Sequence, residues 1–316
     1  MKTLKLSPAG PDVSAICLGS AYFGTQISPD DAFEVLDVYY EQGGRFIDTS
    51  NNYAGWLPGA KGGESERTIG AWLKSRTVRD EVFLATKVGF DYSGVETGTS
   101  KGRVLAECEK SLMNLGVDHI DLYFSHLDDR RTPLAETLGA MNTLIGEGKV
   151  RWLGASNFFA WRMESARLIC AENHWSTFAA LQNHFTYLEP RPEVDWSPNV
   201  LMNREHVDFA RAHGIRLMAY YALLKGAYSR ADRPLWESYR TEENQQRLTR
   251  LKLVADDLGA TLNQIVLAWM LHLNPEVLPI TTASRKEHLI ENLGALRVSI
   301  SPEQMDFLNF TDIKKR

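Results

Sequence analysis

Short, almost continuously apolar runs alternate along the chain with longer segments whose apolar residues recur every three or four positions. Eight of the short runs have the composition of strands, namely AICLGS, RFIDTS, VFLATK, DLYFSH, RWLGASN, AALQNHF, IRLMAYY and VLPITT. Hydrophobicity with little alternation is typical of parallel strands that are buried on both faces. The pattern therefore predicts eight parallel strands.

The longer segments carry helix start and stop signals. SPDDAFEVLDVYYEQGG begins with Ser28 as N-cap and Pro29 in the first turn, and it stops at a pair of glycines. TPLAETLGAMNTLIGEG repeats the scheme with Thr132 in the first position. Further helices are predicted over 64–76, 101–115, 160–173, 203–213, 242–258, 262–273, 286–293 and 302–310.

Strands that each precede a helix, within 316 residues, favour one α/β domain, 1–316, folded as a (β/α)8 TIM barrel. KTLKLSPAGPDVS predicts an N-terminal β-hairpin that caps the bottom of the barrel, and a short C-terminal tail follows the last helix. The competing doubly wound sheet usually carries a glycine-rich G-x-G-x-x-G fingerprint after its first strand. LGSAYFGT lacks that fingerprint.

Composition narrows the class of protein. Hydrophobic residues make up 44% of the chain and charged residues 24%, as in a globular protein. A net charge of −5 gives no electrostatic reason to expect nucleic acid or an anionic membrane as partner. The N-terminus lacks the apolar core of a secretory signal, and Cys17, Cys108 and Cys170 suit reduced thiols. We therefore expect a cytoplasmic protein.

Polar residues end most of the predicted strands. In a barrel of this type the active site lies at the C-terminal ends of the strands. Asp48, Lys87 and His126 end three consecutive strands, and Tyr53 follows Asp48 in a loop rich in Asn and Gly. Taken singly, the Asp is typical of a turn, the Lys of a solvated charge and the His of a structural residue. Together they predict a site at one mouth of the barrel.

Asp48, Tyr53, Lys87 and His126, in the contexts FIDTSNNY, LATK and DLYFSH, resemble the aldo-keto reductase superfamily. The resemblance covers nearly the whole chain, through GESERTIGAWL, SLMNLGVDHIDLYFSH, GKVRWLGASNF, LQNHFTYLEP and KEHLIENLGAL. It is greatest for the bacterial and channel β-subunit-like branch, rather than the mammalian aldose reductase branch.

The resemblance implies an NADP-dependent oxidoreductase that moves a hydride between a nicotinamide and a carbonyl or alcohol. Tyr53 would be the general acid or base, but a tyrosine with a reference pKa of about 10 is a poor acid near neutrality. A neighbouring ammonium lowers such a pKa. We expect Lys87 to do this, kept charged by Asp48, while His126 donates a hydrogen bond to the substrate oxygen.

The resemblance also implies a cofactor site for NADP, with NAD possible. In it Ser156, Asn157 and Gln182 would bond the carboxamide, and Tyr220 would stack on the nicotinamide, although Tyr220 alone is equally typical of a core aromatic. The complete implied set is Gly19, Ser20, Asp48, Ser156, Asn157, Gln182, Tyr220, Tyr221, Leu223, Lys225, Gly226, Thr282, Ser284, Arg285, His288, Glu291 and Asn292.

Two positions depart from the family pattern. Tyr221 and Ala222 stand where Ser-Pro usually follows the stacking tyrosine. His288 stands where many members have an arginine for the 2′-phosphate, which weakens the argument for NADP over NAD. Arg285 and Lys286 precede it at the start of a predicted helix, a position that favours an anion.

An apolar, aromatic pocket is usual for a small ligand. We predict a small-molecule carbonyl, sugar or alcohol substrate, although each pocket residue is equally typical of loop packing. The candidates are Tyr22, Phe23, Tyr53, Trp56, Phe90, His126, Leu127 and Trp196.

Other functions are open or disfavoured on the sequence. A redox-sensing or regulatory cofactor-binding subunit of the same fold stays the alternative, because a sensor can retain all four polar residues. A barrel hydrolase would need paired acids at strand ends, and only Asp48 is so placed. No H-E-x-x-H or cysteine cluster predicts a metal site. The sequence leaves the oligomeric state open.

Overall fold

The computed structural model describes residues 1–311. After an antiparallel hairpin of β1 (Thr3–Lys5) and β2 (Asp12–Ser14), eight strands form a closed barrel in which neighbours in sequence pair in parallel and the last pairs with the first. The barrel strands are β3 (Cys17–Gly19), β4 (Phe46–Asp48), β5 (Phe83–Val88), β6 (Ile120–Ser125), β7 (Val150–Ser156), β8 (Phe178–His184), β9 (Arg216–Tyr220) and β10 (Val277–Thr281). The predicted TIM barrel and its strands are confirmed.

Helices surround the barrel and cover the outer faces of its strands. This explains why the strands are apolar on both sides: one face fills the barrel and the other packs against helices. The helices are α1 (Pro29–Glu41), α2 (Glu64–Arg76), α3 (Lys101–Leu115), α4 (Leu134–Gly146), α5 (Ala160–Asn173), α6 (Arg204–His213), α7 (Glu242–Leu258), α8 (Leu262–His272), α9 (Lys286–Leu293) and α10 (Pro302–Leu308).

Side chains cap the starts of five of the ten described helices, namely α1, α6, α7, α8 and α10. The Ser28 hydroxyl accepts a hydrogen bond from the Asp31 N–H at 3.2 Å, and α1 begins at Pro29. The cap predicted at Thr132 is wrong, because that hydroxyl donates to Asp129 instead and Pro133 precedes α4. The last predicted helix is also two residues too long, since α10 ends at Leu308.

The N-terminal hairpin lies where the barrel strands begin, at the end opposite the mouth. The Arg216 guanidinium, at the start of β9, donates to the Lys5 carbonyl at 2.8 Å. The Arg45 N–H, just before β4, donates to the Ser14 hydroxyl at 2.8 Å. The predicted bottom cap is therefore confirmed, whereas most of the predicted C-terminal tail lies outside the described residues.

Two further features of the fold concern the cysteines and the length and polarity of the helices. Cys17, Cys108 and Cys170 are buried free thiols. Burial raises the pKa of Cys108 to about 12 and that of Cys170 to about 11, so both thiols are protonated near neutrality. Within residues 1–311, every helix is too short or too polar to cross a membrane.

Candidate active site

Strand β4 carries Asp48 to the mouth of the barrel, and the loop that follows brings Tyr53 back over it. Asp48 pairs with Gly19 of β3 and Ala85 of β5, and its side chain is completely buried. Beyond it the Tyr53 N–H donates to the Ser50 carbonyl at 3.2 Å and closes a turn. The Tyr53 hydroxyl then donates to Asp48 Oδ2 at 3.0 Å. Strand and turn together explain the spacing of these two residues.

Lys87 on β5 completes a buried hydrogen-bonded group with these two side chains. Its Nζ lies 2.5 Å from Asp48 Oδ2, 2.7 Å from Tyr53 Oη and 2.8 Å from the Thr49 carbonyl oxygen. Asp48 Oδ1 accepts a further bond from Gln182 Nε2 at 3.1 Å. An isolated buried charge is costly, but here each ammonium proton has an acceptor and the carboxylate has three donors.

The protonation of Tyr53 differs from the expectation. Its ring is partly exposed at the mouth, but its hydroxyl bonds two fully buried side chains. Burial raises the pKa of Tyr53 well above its usual range, and the negative charge of Asp48 raises it further. Burial lowers the pKa of Lys87, against the opposing effect of Asp48. The predicted lowering of the Tyr53 pKa is therefore wrong here, and the phenol stays protonated near neutrality.

His126 follows β6 and lies beside this group. Its ring nitrogen Nδ1 is 3.2 Å from the Ser50 hydroxyl, which leaves Nε2 as the ring nitrogen free for another partner. The ring centroids of His126 and Tyr53 are 6.1 Å apart. Burial lowers the pKa of His126 well below its usual range, and the charge of Lys87 lowers it further. The imidazole is therefore neutral at ordinary pH.

The strand ends also bring several predicted cofactor residues together. Asn157, after β7, has a left-handed backbone with φ of 60°, and its Nδ2 donates to the His126 carbonyl at 2.9 Å. Its Oδ1 accepts from the Tyr220 hydroxyl at 2.7 Å and from the Val200 N–H at 3.1 Å. Asn157 thus joins the ends of three strands and orients Tyr220. The nicotinamide contacts of Ser156, Asn157, Gln182 and Tyr220 stay predictions.

The loop after β9 has an unusual backbone. Tyr221, Leu224 and Lys225 all have positive φ, between 46° and 57°, a conformation that costs free energy for residues with a Cβ. Lys225 Nζ lies 5.3 Å from the centre of the Tyr221 ring. Leu223 and Gly226 belong to the same short loop. Such strained backbone clusters at ligand-binding sites, which agrees with a predicted cofactor role for this loop.

The remaining predicted cofactor residues extend from the mouth to the start of α9. Gly19 lies close to β10, because a Cβ there would be 2.8 Å from Ile280 Cγ2 and 3.1 Å from Thr282 Oγ1 just beyond the strand. The side chains of Ser284, Arg285 and His288 are exposed. The Ser20 hydroxyl bonds the Asp48 carbonyl, and Glu291 accepts from Thr261. Asn292 is buried.

The predicted substrate residues lie in different environments. Trp56 is 54% exposed at the mouth, with its ring 6.1 Å from Tyr22 and 6.3 Å from Tyr53. Phe90 lies edge to face with His126 at 4.7 Å. Phe23 is a correction, because it is completely buried in the hydrophobic core and has no surface to offer a substrate.

Leu127 and Trp196 each pack against a neighbouring residue. Leu127 is buried against Gly89, where a Cβ would lie 3.3 Å from its side chain. Trp196 packs on His184, with ring centres 5.0 Å apart. His184 in turn lies 5.6 Å from Tyr220, so Trp196 reaches the mouth indirectly.

The sequence analysis missed several residues that pack or form hydrogen bonds around the mouth of the barrel. His184 ends β8 and contacts an aromatic cluster made of Trp196, Tyr220, Tyr221, Trp236 and Tyr239. Burial lowers its pKa to about 4. Its spacing of two residues from Gln182 places both side chains on one face of the strand, and this was the available signal. Ser50, Asn51, Tyr92 and Glu107 carried no comparable pattern.

The family model and the relatives that match this chain all point to the same family. A model described as the Aldo/keto reductase family matches residues 15–310. The chain is 32% identical to a norsolorinic acid reductase of Emericella nidulans, over 95% of this chain and 79% of the relative. It is 27% identical to an aryl-alcohol dehydrogenase (NADP(+)) of Phanerodontia chrysosporium, over 97% of this chain and 85% of the relative.

A solved structure is similar as well. The crystal structure of a thermostable aldo-keto reductase with the inhibitor epalrestat superimposes with a TM-score of 0.78 and 26% sequence identity. The match covers 98% of this chain and 99% of the other. The fungal relatives do not confirm the predicted likeness to the bacterial and channel-subunit branch.

Proposed function

We propose that this chain, which belongs to the aldo/keto reductase family, is an oxidoreductase that reduces a carbonyl to an alcohol with a nicotinamide cofactor. The observation that carries the proposal is the buried group of Asp48, Lys87 and Tyr53, whose phenol is protonated and accessible from the mouth. A proton donor beside a neutral histidine is the arrangement that carbonyl reduction needs.

Each member of the group has a separate task in this proposal. When bound, a nicotinamide supplies the hydride that forms the new C–H bond. Tyr53 Oη transfers its proton to the substrate oxygen as negative charge develops there. Lys87 stabilises the resulting phenolate, and Asp48 keeps the ammonium charged in its buried position. His126 Nε2–H orients the substrate oxygen when Ser50 donates to Nδ1.

The residues present fit a nicotinamide dinucleotide. Gln182 and Tyr220 lie at the mouth, and the strained loop containing Lys225 follows β9. At the far end Arg285 precedes α9, whose first N–H groups favour an anion. Lys286 contributes less than expected, because it pairs with Glu34 at 3.2 Å. These contacts support a phosphate-bearing cofactor, with NADP proposed over NAD.

The aromatic mouth supports a flat substrate. Trp56, Tyr22 and Phe90 lie around Tyr53 and His126, and their faces suit an aromatic carbonyl. The names of two relatives, an aryl-alcohol dehydrogenase and a norsolorinic acid reductase, agree with that choice. We therefore propose aryl aldehydes or ketones, and the corresponding alcohols, ahead of sugars.

Turnover with a carbonyl panel tests the proposed function. The purified chain and NADPH are mixed with aryl aldehydes, aliphatic aldehydes or aldoses, and consumption of the reduced nicotinamide is followed. Aromatic pairs are worth roughly 0.5–1.5 kcal/mol beyond burial, so we expect kcat/KM about tenfold higher for aryl than for aliphatic aldehydes. If the cofactor binds but no carbonyl is turned over, the regulatory alternative replaces the enzyme.

Cofactor preference is a second expected result. A charge-assisted hydrogen bond from Arg285 to the 2′-phosphate is worth roughly 1.5–3 kcal/mol, so NADPH should bind at least about tenfold more tightly than NADH. Fluorescence quenching titrations with NADPH and NADH measure this.

Two variants control the cofactor experiment. Arg285→Gln should weaken NADPH about tenfold and leave NADH unchanged. Lys286→Gln should have a smaller effect, because Glu34 already pairs with that lysine. Equal affinities for NADPH and NADH in the unmodified chain would refute the phosphate site.

A further inference from the structure

A second buried carboxylate lies close to the mouth, outside the group around Tyr53. Glu107 on α3 is only 3% exposed. Its Oε2 accepts hydrogen bonds from Asn51 Nδ2 at 2.7 Å and from the Tyr92 hydroxyl, and its Oε1 accepts from Lys110 at 2.6 Å. Burial raises the pKa of Glu107, but the bonds from Lys110, Tyr92 and Asn51 outweigh it and hold that pKa below its usual range. The carboxylate is therefore charged near neutrality.

The first donor belongs to the loop that carries the proposed acid. Asn51 lies between Asp48 and Tyr53 and is 2% exposed. Its carbonyl accepts the Gly63 N–H at 2.7 Å, which closes the loop over residues 49–63. Its side chain therefore fixes the loop that presents Tyr53 and Trp56, by way of Glu107.

The second donor belongs to the neighbouring loop, residues 89–99. Tyr92 follows Phe90 by two residues, and its backbone N–H and C=O both bond Val95, at 3.0 and 2.7 Å. The Tyr92 side chain rests on two glycines of the first loop. A Cβ would lie 2.8 Å from it at Gly55 and 2.3 Å from it at Gly62. The two loops are therefore packed together as well as bonded to one oxygen.

We propose that Glu107 is a positioning residue that ties loop 49–63 to loop 89–99. It thereby sets the separation of Trp56, whose ring contacts Tyr53, from Phe90, whose ring contacts His126. The space between the Trp56 and Phe90 rings is the slot that would take an aromatic substrate. Both donors bond the same oxygen, so displacement of either loop breaks a bond to a charged acceptor. The link between the loops follows from these contacts and does not depend on any activity. Its effect on substrate choice rests on the proposed function.

Hydrogen exchange tests the link without reference to activity. Tyr92→Phe removes one bond but keeps the ring on Gly55 and Gly62, so it is expected to fold. Exchange should accelerate in peptides from both loops, 49–63 and 89–99, by about tenfold, the loss of one charged hydrogen bond. Glu107→Gln should do the same, and peptides from α7 and α8 should not change.

A matched control is available at the other end of the barrel. The Tyr40 hydroxyl donates to Glu81 at 2.6 Å, the same pair of chemical groups on an exposed surface. Tyr40→Phe should leave exchange in both loops unchanged. Acceleration in only one loop, in neither, or throughout the barrel of Tyr92→Phe would overturn the proposed link.

Kinetics test the consequence for substrate choice. In Tyr92→Phe we expect KM for an aryl aldehyde to rise about tenfold while kcat changes little, and KM for a small aliphatic aldehyde to stay unchanged. Equal changes for both aldehydes would refute the slot, even if exchange confirms the link. A wild-type chain that turns over neither aldehyde would refute the proposed function instead, and the exchange result would still decide the link.

Discussion

Tyr53→Phe is expected to lower kcat for carbonyl reduction by about 10²–10⁴-fold, the usual contribution of a positioned general acid. The substitution removes only the hydroxyl. Lys87 keeps two acceptors, and Asp48 keeps the bonds from Lys87 and Gln182, so the fold should be retained. The ring should also keep its place beside Trp56. Single-turnover rates with saturating NADPH and an aryl aldehyde measure the effect.

Two measurements make that result specific. NADPH affinity, from fluorescence quenching, should be unchanged, because the lost hydroxyl is the only change at the mouth. Tyr40→Phe removes a tyrosine hydroxyl far from the mouth and should retain wild-type kcat. Wild-type kcat in Tyr53→Phe would show that another group supplies the proton.

Lys87→Met is expected to change both the pH dependence and the stability. Alcohol oxidation, the reverse reaction, needs the Tyr53 phenolate. Burial and Asp48 already raise the pKa of Tyr53, so in the wild type oxidation should accelerate as pH increases above neutrality. Without the ammonium, the carboxylate of Asp48 faces Tyr53 uncompensated, and the Tyr53 pKa should rise further. Oxidation should then lose rate, and its pH profile should move to higher pH.

The same substitution should destabilise the protein. Removal of one partner from a buried ion pair leaves a buried charge and typically costs about 3–5 kcal/mol. The double variant Asp48→Asn with Lys87→Met removes both charges and should recover much of the stability without recovering activity. Thermal unfolding and pH–rate profiles of the two variants measure this. An oxidation profile in Lys87→Met that matches the wild type would show that Lys87 does not tune Tyr53.

The barrel was predictable because its strands are continuous apolar runs and its helices carry capping signals. The errors fall where a side chain had two possible partners or directions. The Thr132 hydroxyl bonds Asp129 and not the helix. Phe23, just beyond a strand end, turns into the core and not towards the mouth. Neither choice follows from local sequence, because tertiary contacts decide it.

The residues of the candidate site could be predicted from the sequence better than their electrostatics could. The four polar residues were identifiable because strand ends in a barrel converge. The sign of the Tyr53 pKa shift was not, because it depends on how deeply the hydroxyl is buried relative to Asp48 and Lys87. Glu107 also escaped notice. Its partner Asn51 is 56 residues away, and in sequence it is one acidic residue on an amphipathic helix.

The buried ammonium also bears on how such a protein can change over evolution. The Lys87 ammonium donates hydrogen bonds to three residues, Asp48, Thr49 and Tyr53. All three come from β4 and the turn directly after it. The loops after β8 and β9 contribute none of these three contacts. Insertions and substitutions in those loops can therefore accumulate without disturbing the proton donor. Directed evolution for new carbonyl substrates should accordingly find most of its tolerated diversity at the exposed positions within residues 189–198 and 229–238.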